Sequence, residues 1–338
     1  MWYKKLVPYL IKNELKKIKE LVLKIFMEYI TKKPRTFQRL IGLSLKEFDL
    51  LAKKVKIELK KHLNNLDKEK SRERAPGGGR KSKLLEIEDK LLVTLLYYKA
   101  YLTQEFLGAI FDIGQSNISR TISLISKVIE NAADPRLNKY LEEAKRNAPL
   151  GNNFIANQAD FIRAYPDLED ISTDATESPR YRPKDSDANK KFYSGKNKNH
   201  TIKTQITVSS GGKVLDVSDS YPGSMHDKTL LAKELTIEKT TRYSPHWMDK
   251  GYCGVDKEHP DKNILIPFKK PKGGTLSKFQ KEVNRHNSRR RIVVEHTIGK
   301  LKKNRIISDV YRGPINSFNQ IFRNIAAISN FKLATASP

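Results

Sequence analysis

Three carboxylates and two cations are the residues of this chain best suited to chemistry: Asp174, Asp249 and Glu295, with Arg291 and Lys302. Acids on three separate elements that converge on one point make a site for a hard cation such as Mg²⁺, which takes oxygen ligands and keeps waters for a substrate. Two such ions about 3.5–4 Å apart activate an attacking oxygen and stabilise a leaving one in phosphodiester chemistry. Each acid alone has a plainer reading. Asp174 would cap a turn, Asp249 in Asp-Lys-Gly would make an Asx turn, and Glu295 would be a surface acid paired one turn away. Asp227, at the end of Pro222-Gly-Ser-Met-His-Asp, competes with Asp249. We expect Asp227 to cap the helix that follows it and choose Asp249, which a short strand carries to the end of a sheet with Gly251 turning the chain away behind it.

The elements that must position these groups follow from periodicity. No Gly or Pro interrupts Asn284 to Ile298, and Ser277-x-x-Gln280 is a capping box that opens the helix. On it, at about 100° per residue, Arg291, Glu295 and Lys302 share one narrow face. Asp170 to Thr176 reads as a short strand carrying Asp174. Thr201 to Val208 alternates Ile202, Thr204, Ile206 and Val208, and Ser210-Gly-Gly212 turns it into Lys213 to Ser218, a hairpin. A short helix from Asp227 to Leu235, a minimal strand at Trp247-Met-Asp249 and a strand from Asn263 to Phe268 complete a mixed α/β arrangement.

Upstream the period is helical. Leu84, Ile87, Leu91, Leu95 and Tyr98 line one helix. Thr103 caps a second, expected to bury Phe106, Leu107 and Ile110. Asp112-Ile-Gly114 turns into a third, with Ile118, Ile122, Ile125 and Ile129 inward. Two helices joined by a Gly-containing turn are the helix-turn-helix pattern. Gln115, Ser116, Asn117, Ser119 and Arg120 then stand at the start of the second helix of that pair, where side chains reach base edges in a major groove. An ordinary three-helix bundle is the alternative. Phe37 to Leu63 is another amphipathic helical region with a cap near Leu43-Ser44, and Met1 to Lys33 is a Lys-rich amphipathic helix.

A formal net charge of +27 over 338 residues points to nucleic acid or an anionic surface. Met1 to Lys83 contributes 24 Lys and Arg against 9 Asp and Glu. No apolar run approaches the ~18 residues a membrane span needs, and no secretory leader is evident. The single cysteine, Cys253, excludes a disulfide framework. These readings place the chain in the cytoplasm, bound to nucleic acid.

Taken in series, Asp174-Ala-Thr-Glu, Tyr193-Ser-Gly-Lys196, His200-Thr-Ile-Lys-Thr-Gln205, Pro222 to Asp227, Asp249-Lys-Gly-Tyr252 and Arg289-Arg-Arg-Ile-Val-Val-Glu-His296 resemble the bacterial insertion-sequence transposases of the DDE superfamily, in the insertion-sequence-five branch related to eukaryotic Harbinger elements. The resemblance runs from about Pro34 to Leu333. It implies a ribonuclease-H-like catalytic domain with Asp174, Asp249 and Glu295 as the metal-binding triad, using two Mg²⁺ ions for which Mn²⁺ can substitute. It further implies double-stranded DNA as partner, at element ends and target, and a homodimer or larger assembly on that DNA. Arg291, Glu295 and Lys302 match a signature around the family's Glu, with Ser288 where that signature has Tyr; the two cations are expected to hold phosphates.

The expected organisation is a basic extension (1–33), a helical region (34–66), a Gly-rich basic linker (67–83), a helix-turn-helix domain (84–133), a connecting segment (134–167) and the catalytic domain (168–335). Family-like sequence begins near Met27, which we read as an alternative start. A regulator that has lost catalysis, a stand-alone metal-dependent endonuclease and a general RNA-binding protein are the rival readings. The intact triad speaks against the first, and joined DNA products would exclude the second. The third lacks an ordered set of aromatic stacking motifs.

Overall fold

The computed structural model describes residues 32–69, 84, 86–148 and 157–336. Residues 1–31 of the amphipathic extension, among them the suggested start at Met27, and all of the linker beyond Glu69 lie outside the described residues. The chain forms two compact units, 1–133 with 304–306, and 134–303 with 307–338.

In the first unit, α1 (Pro34–Ile41) and α2 (Leu45–Glu69) replace the single helical region expected. Gly42 in the left-handed region ends α1, and Ser44 with Glu47 forms a reciprocal capping box: the Glu47 amide donates to Ser44 Oγ (3.3 Å) and the Ser44 amide to Glu47 Oε2 (2.6 Å). Pro34 is the first residue of α1. Next come α3 (Ile87–Ala100), α4 (Gln104–Ile110) and α5 (Gln115–Ala133). Helix α2 packs on α5, so the 34–66 region shares a core with the helices after the linker. Leu91, Leu95, Tyr98, Ile118, Ile125 and Ile129 are buried as their spacing predicts.

The second unit begins with α6 (Tyr140–Asn147) and α7 (Gln158–Ala164). Tyr140, Leu141, Ala144 and Phe161 from these helices form one core with Leu168, Ile171 and Leu215, so the segment expected to connect domains is packed against the sheet. Then follow β1 (Ile171–Pro179), α8 (Ser186–Phe192), β2 (Tyr193–Ser194), β3 (Asn199–Ser209), β4 (Val214–Pro222), α9 (Asp227–Lys233), β5 (His246–Trp247), α10 (Val255–Glu258), β6 (Ile264–Leu265), α11 (Lys278–Leu301) and α12 (Ile315–Ala336). The sheet is mixed. β1 pairs antiparallel with β3 and parallel with β5, β3 pairs antiparallel with β2 and β4, and β5 pairs parallel with β6. β6 is two residues rather than the six expected, with Pro267 soon after it.

Every residue of β3 from Thr201 to Ser209 is buried, so both faces of its centre are covered and a pure alternation does not hold. Helix α11 packs on β1, β3 and β5, and α12 packs on β4. Three asparagines close the side of β4 that β3 leaves open. Asn330 donates to the Val214 carbonyl (2.6 Å) and accepts from its amide (2.7 Å). Asn138 does the same at Val217 (2.9 and 2.8 Å), and Asn319 accepts from the Ser220 amide (2.9 Å).

Candidate active site

Strand β1 carries Asp174 at its fourth position, opposite Ile206 of β3. In the parallel pairing with β5, Ile171 lies beside His246 and Ser172 beside Trp247. Two residues further along both chains are Asp174 and Asp249, level with one another where β5 has ended and β1 runs on. Adjacent strands lie about 4.8 Å apart, so this register delivers two acids to one end of the sheet. Beneath them Thr173 Oγ1 bonds to His246 Nε2 (2.6 Å) and to Thr207 Oγ1 (2.7 Å). Burial pushes the His246 imidazole down to about 3, so this His is a neutral strut between strands.

Asp249 caps the short 3₁₀ turn Lys250–Tyr252, its Oδ1 accepting from the Gly251 amide at 2.6 Å. The Asx-type contact and the strand-end position therefore coexist. Gly251 is needed here for space. A Cβ on it would fall 2.8 Å from Asp249 Oδ1 and 3.0 Å from Asp227 Oδ2, which puts Asp227 beside the pair.

That placement corrects the capping role expected for Asp227. The N-cap of α9 is His226, whose Nδ1 accepts weakly from the Lys228 amide (3.4 Å), while Asp227 is the first helical residue. Its Oδ1 instead accepts from Lys203 Nζ (2.8 Å), a buried lysine of β3 that also donates to the Met225 carbonyl (2.7 Å) and stands 3.6 Å from Glu177. Pairing a buried charge outweighed a cap that a neighbour could supply. Lys203 is the residue the sequence reading missed, and Asp227, weighed there only against Asp249, stands beside the pair with it. Both lay in motifs singled out for other reasons, and no local spacing links β3 to the start of α9.

Glu295 lies on α11, 56 % exposed, and Arg291 one turn before it is 12 % exposed. Arg291 Nη2 stands 3.5 Å from Glu295 Oε1 and 3.5 Å from Asp174 Oδ2, so the guanidinium links the helix acid to the strand acid. Its buried Nε has no hydrogen-bond partner among the described residues. Asp174 Oδ1 accepts from the Ala175 amide at 2.8 Å. Burial pushes the Asp174 carboxyl up to about 6; Arg291 opposes this, and the negative charges of Asp249 and Asp227 add to it. The same three aspartates surround Tyr252, whose buried phenol is pushed well above its ordinary range, chiefly by desolvation.

Lys302 ends α11 half-buried, with Nζ donating to the Glu177 carbonyl of β1 (2.9 Å); burial lowers its pKa, opposed by Glu177. Here it anchors the helix end to the strand. Ser288 Oγ donates back to the Asn284 carbonyl. The capping box of α11 is present in both directions, at 3.0 and 3.1 Å.

In the first unit, Thr103 caps α4 by accepting from the Phe106 amide (3.2 Å). Phe106 is exposed, against the expectation that it is buried, while Leu107 is buried; the turn of the helix places only one of the two adjacent residues inward. Gly108 lets the turn approach: a Cβ there would sit 2.6 Å from the Ile113 carbonyl. Helix α5 then starts with Gln115, Ser116, Asn117 and Arg120 exposed and Ser119 half-buried. Gln115 is held by Gln104 (2.7 Å) and Arg120 by Asn117 (3.2 Å).

Comparison with known proteins finds matches over both regions of the chain. Residues 173–330 match the family described as DDE superfamily endonuclease, a span that holds all three acids. Residues 82–134 match the helix-turn-helix of DDE superfamily endonuclease. The chain is 33% identical over 300 residues to a protein of Microchaete diplosiphon described as a probable transposase for insertion sequence element IS702, covering 89% of this chain and 95% of that one. The chain belongs to the DDE-superfamily insertion-sequence transposases. Its fold is accordingly a helical helix-turn-helix region followed by a ribonuclease-H-like mixed sheet. No solved structure gives a significant match.

Membership in a DDE family implies nuclease activity, divalent-metal use and DNA binding. Among the described residues no three His, Cys, Asp or Glu side chains stand close enough to close around an ion. The donor chemistry nevertheless suits a hard cation: the ligands on offer are carboxylate oxygens, and the ionised Asp174 is disfavoured first by burial and then by neighbouring negative charges, both of which a cation would offset. No helix among the described residues is long and apolar enough to cross a membrane.

Proposed function

We propose that this transposase binds the terminal inverted repeats of an insertion sequence, cuts DNA at the element ends and joins those ends to target DNA. The observation that carries the reading is the level placement of Asp174 on β1 and Asp249 just past the end of the parallel neighbour β5, with Arg291 tying Asp174 to Glu295 of α11. Asp174, Asp249 and Glu295 would hold Mg²⁺, with two ions per site and Mn²⁺ as a substitute. When bound, such ions make water nucleophilic at neutral pH and stabilise charge on phosphate oxygens.

The chain's own groups do the rest. Asp174 acts as a ligand in its carboxylate form, which predominates above about pH 6. Arg291 exchanges its two carboxylate partners for a phosphate when DNA enters, since its guanidinium suits phosphate oxygens. Lys302, anchored on β1, keeps the end of α11 fixed so that Glu295 stays opposite the strand acids. Gln115, Ser116, Asn117, Ser119 and Arg120 read base edges at the element end. Hydrolysis of a phosphodiester there frees a 3′-hydroxyl; that hydroxyl attacks a target phosphodiester, forming one P–O bond as another breaks. Joining needs both ends, so a homodimer or larger assembly on DNA is the working form.

The test is Mg²⁺-dependent cutting and joining of DNA that carries the element ends. Ala at Asp174, Asp249 or Glu295 should abolish both products while the protein stays folded and bound. Replacing Gln115, Asn117 and Arg120 together should lower the preference for element ends more than general DNA affinity. Cutting that survives in all three acid variants would overturn the assignment, and cutting without joined products would make the protein an endonuclease alone.

A further inference from the structure

The carboxylate of Asp227 is divided between two neighbours. Its Oδ1 accepts from Lys203 Nζ (2.8 Å). Its Oδ2 faces Asp249: a Cβ on Gly251 would fall 3.0 Å from it and 2.8 Å from Asp249 Oδ1. These two oxygens are therefore less than about 6 Å apart, across a gap that the absent side chain of residue 251 leaves open. Like charges so close disfavour one another, and the charge of Asp227 also opposes ionisation of Asp174 and of the buried Tyr252. A cation in the gap would offset each of these costs.

Nothing local obliges Asp227 to point there. His226 already caps α9, and one carboxylate oxygen is enough for Lys203. The lysine is itself fixed, donating to the Met225 carbonyl (2.7 Å) and standing 3.6 Å from Glu177. Glu177 in turn accepts from Thr201 Oγ1 (2.7 Å) and Asn197 Nδ2 (2.6 Å). These contacts hold the lysine, and the lysine sets which way Asp227 turns. The other strand acid, Asp174, has Glu295 within reach through Arg291. Asp227 gives Asp249 the corresponding second carboxylate, an oxygen donor of the kind hard cations take.

We propose that Asp227 is a fourth metal-binding carboxylate of this site, presenting Oδ2 to an ion shared with Asp249. The inference rests on the metal reading given above, and its test separates the two. Mn²⁺ binding to the DNA-free protein would be followed by electron paramagnetic resonance, with Mg²⁺ as competitor. The proteins compared are wild type, Asp249→Asn, Asp227→Asn and Lys203→Met/Asp227→Asn, with melting curves to show that each is folded. Asp227→Asn should weaken Mn²⁺ binding roughly tenfold or more, the loss that even an outer partner of a metal site brings. The double variant decides between a donor and the plainer roles. It restores the net charge of wild type at this position and recovers part of the stability lost with the Lys203 pair. A donor predicts that its Mn²⁺ binding stays as weak as that of Asp227→Asn. Recovery of Mn²⁺ affinity in the double variant would reduce Asp227 to a structural or through-space influence and overturn the proposal. So would wild-type affinity in Asp227→Asn while Asp249→Asn binds weakly. Unchanged binding in Asp249→Asn would instead overturn the metal assignment of Asp249. No saturable Mn²⁺ binding by wild type would overturn the metal reading and this inference with it.

Discussion

Asp174→Asn should stabilise the metal-free protein at neutral pH. The carboxyl sits at about 6 against an ordinary 3.8. At about 1.4 kcal/mol per pH unit, keeping it ionised in the folded chain therefore costs about 3 kcal/mol. The attraction of Arg291 is already inside that net value, so an isosteric neutral amide removes the penalty without removing a larger benefit. For a unit of this size about 2–4 °C accompanies each kcal/mol, which predicts a melting temperature roughly 6–12 °C above wild type at pH 7.5. The sign across pH follows from proton linkage. Between 3.8 and about 6 the folded chain holds a proton that the unfolded chain has released, so this group's contribution to stability is present in full below 3.8 and is lost as pH rises through 6. The gap between variant and wild type should therefore close as the pH is lowered toward 4. Added Mg²⁺ should raise the wild-type melting temperature and move the variant less. Thermal unfolding from pH 4 to 8, with and without Mg²⁺, measures all of this. A variant less stable than wild type at pH 7.5, or a gap that widens on acidification, would refute the burial argument.

Two further predictions concern the loop beside the strand acids. Gly251→Ala should fold and bind DNA yet lose cleavage, because the new methyl collides with two carboxylate oxygens at 2.8 and 3.0 Å and displaces those groups rather than backbone; near-normal cutting by this variant would show that the carboxylate positions do not matter. Asp227→Asn leaves buried Lys203 with the Met225 carbonyl and Glu177 but without its closest carboxylate. It should lower stability by about 1–3 kcal/mol in urea denaturation, partly recovered when Lys203→Met is added, and an unchanged urea midpoint would show that the pair contributes nothing net.

The features legible in the sequence are those decided locally. The capping box of α11, the Thr103 cap, the Gly-containing turn before α5 and the hairpin at Ser210 to Gly212 each depend on residues within a few positions of one another. What was hidden depends on distance along the chain. Lys203 and Asp227 are 24 residues apart; Lys203 reads alone as one more polar position of a strand and Asp227 as a helix cap, and only the tertiary fold makes them a pair. The same holds for Lys302, whose partner is a backbone carbonyl 125 residues away, an acceptor that no side-chain pattern can announce. Phe106 was misplaced because an apolar residue next to a buried one still faces outward when the helix is short. The strand lengths were misread at β6, where apolar residues continue past the point at which the ladder stops.

The asparagines on β4 bear on how copies of this protein could assemble. An open strand edge is a template: another chain can lay its backbone along it and extend the sheet. On β4 the positions such a visitor would use are filled by amides from Asn138, Asn319 and Asn330 of the same molecule, and Asn330 also engages Asp134 (2.6 Å). A visiting strand would have to displace five hydrogen bonds that already have good lengths. At the opposite margin β6 offers only two residues, too short a run to hold a strand. Sheet extension is thus a poor route to oligomers for this chain, whether productive or aggregating. In the assembly proposed above, copies would be held by side-chain surfaces or by the DNA itself, and removing the Asn138, Asn319 and Asn330 amides would expose a strand edge that they keep closed.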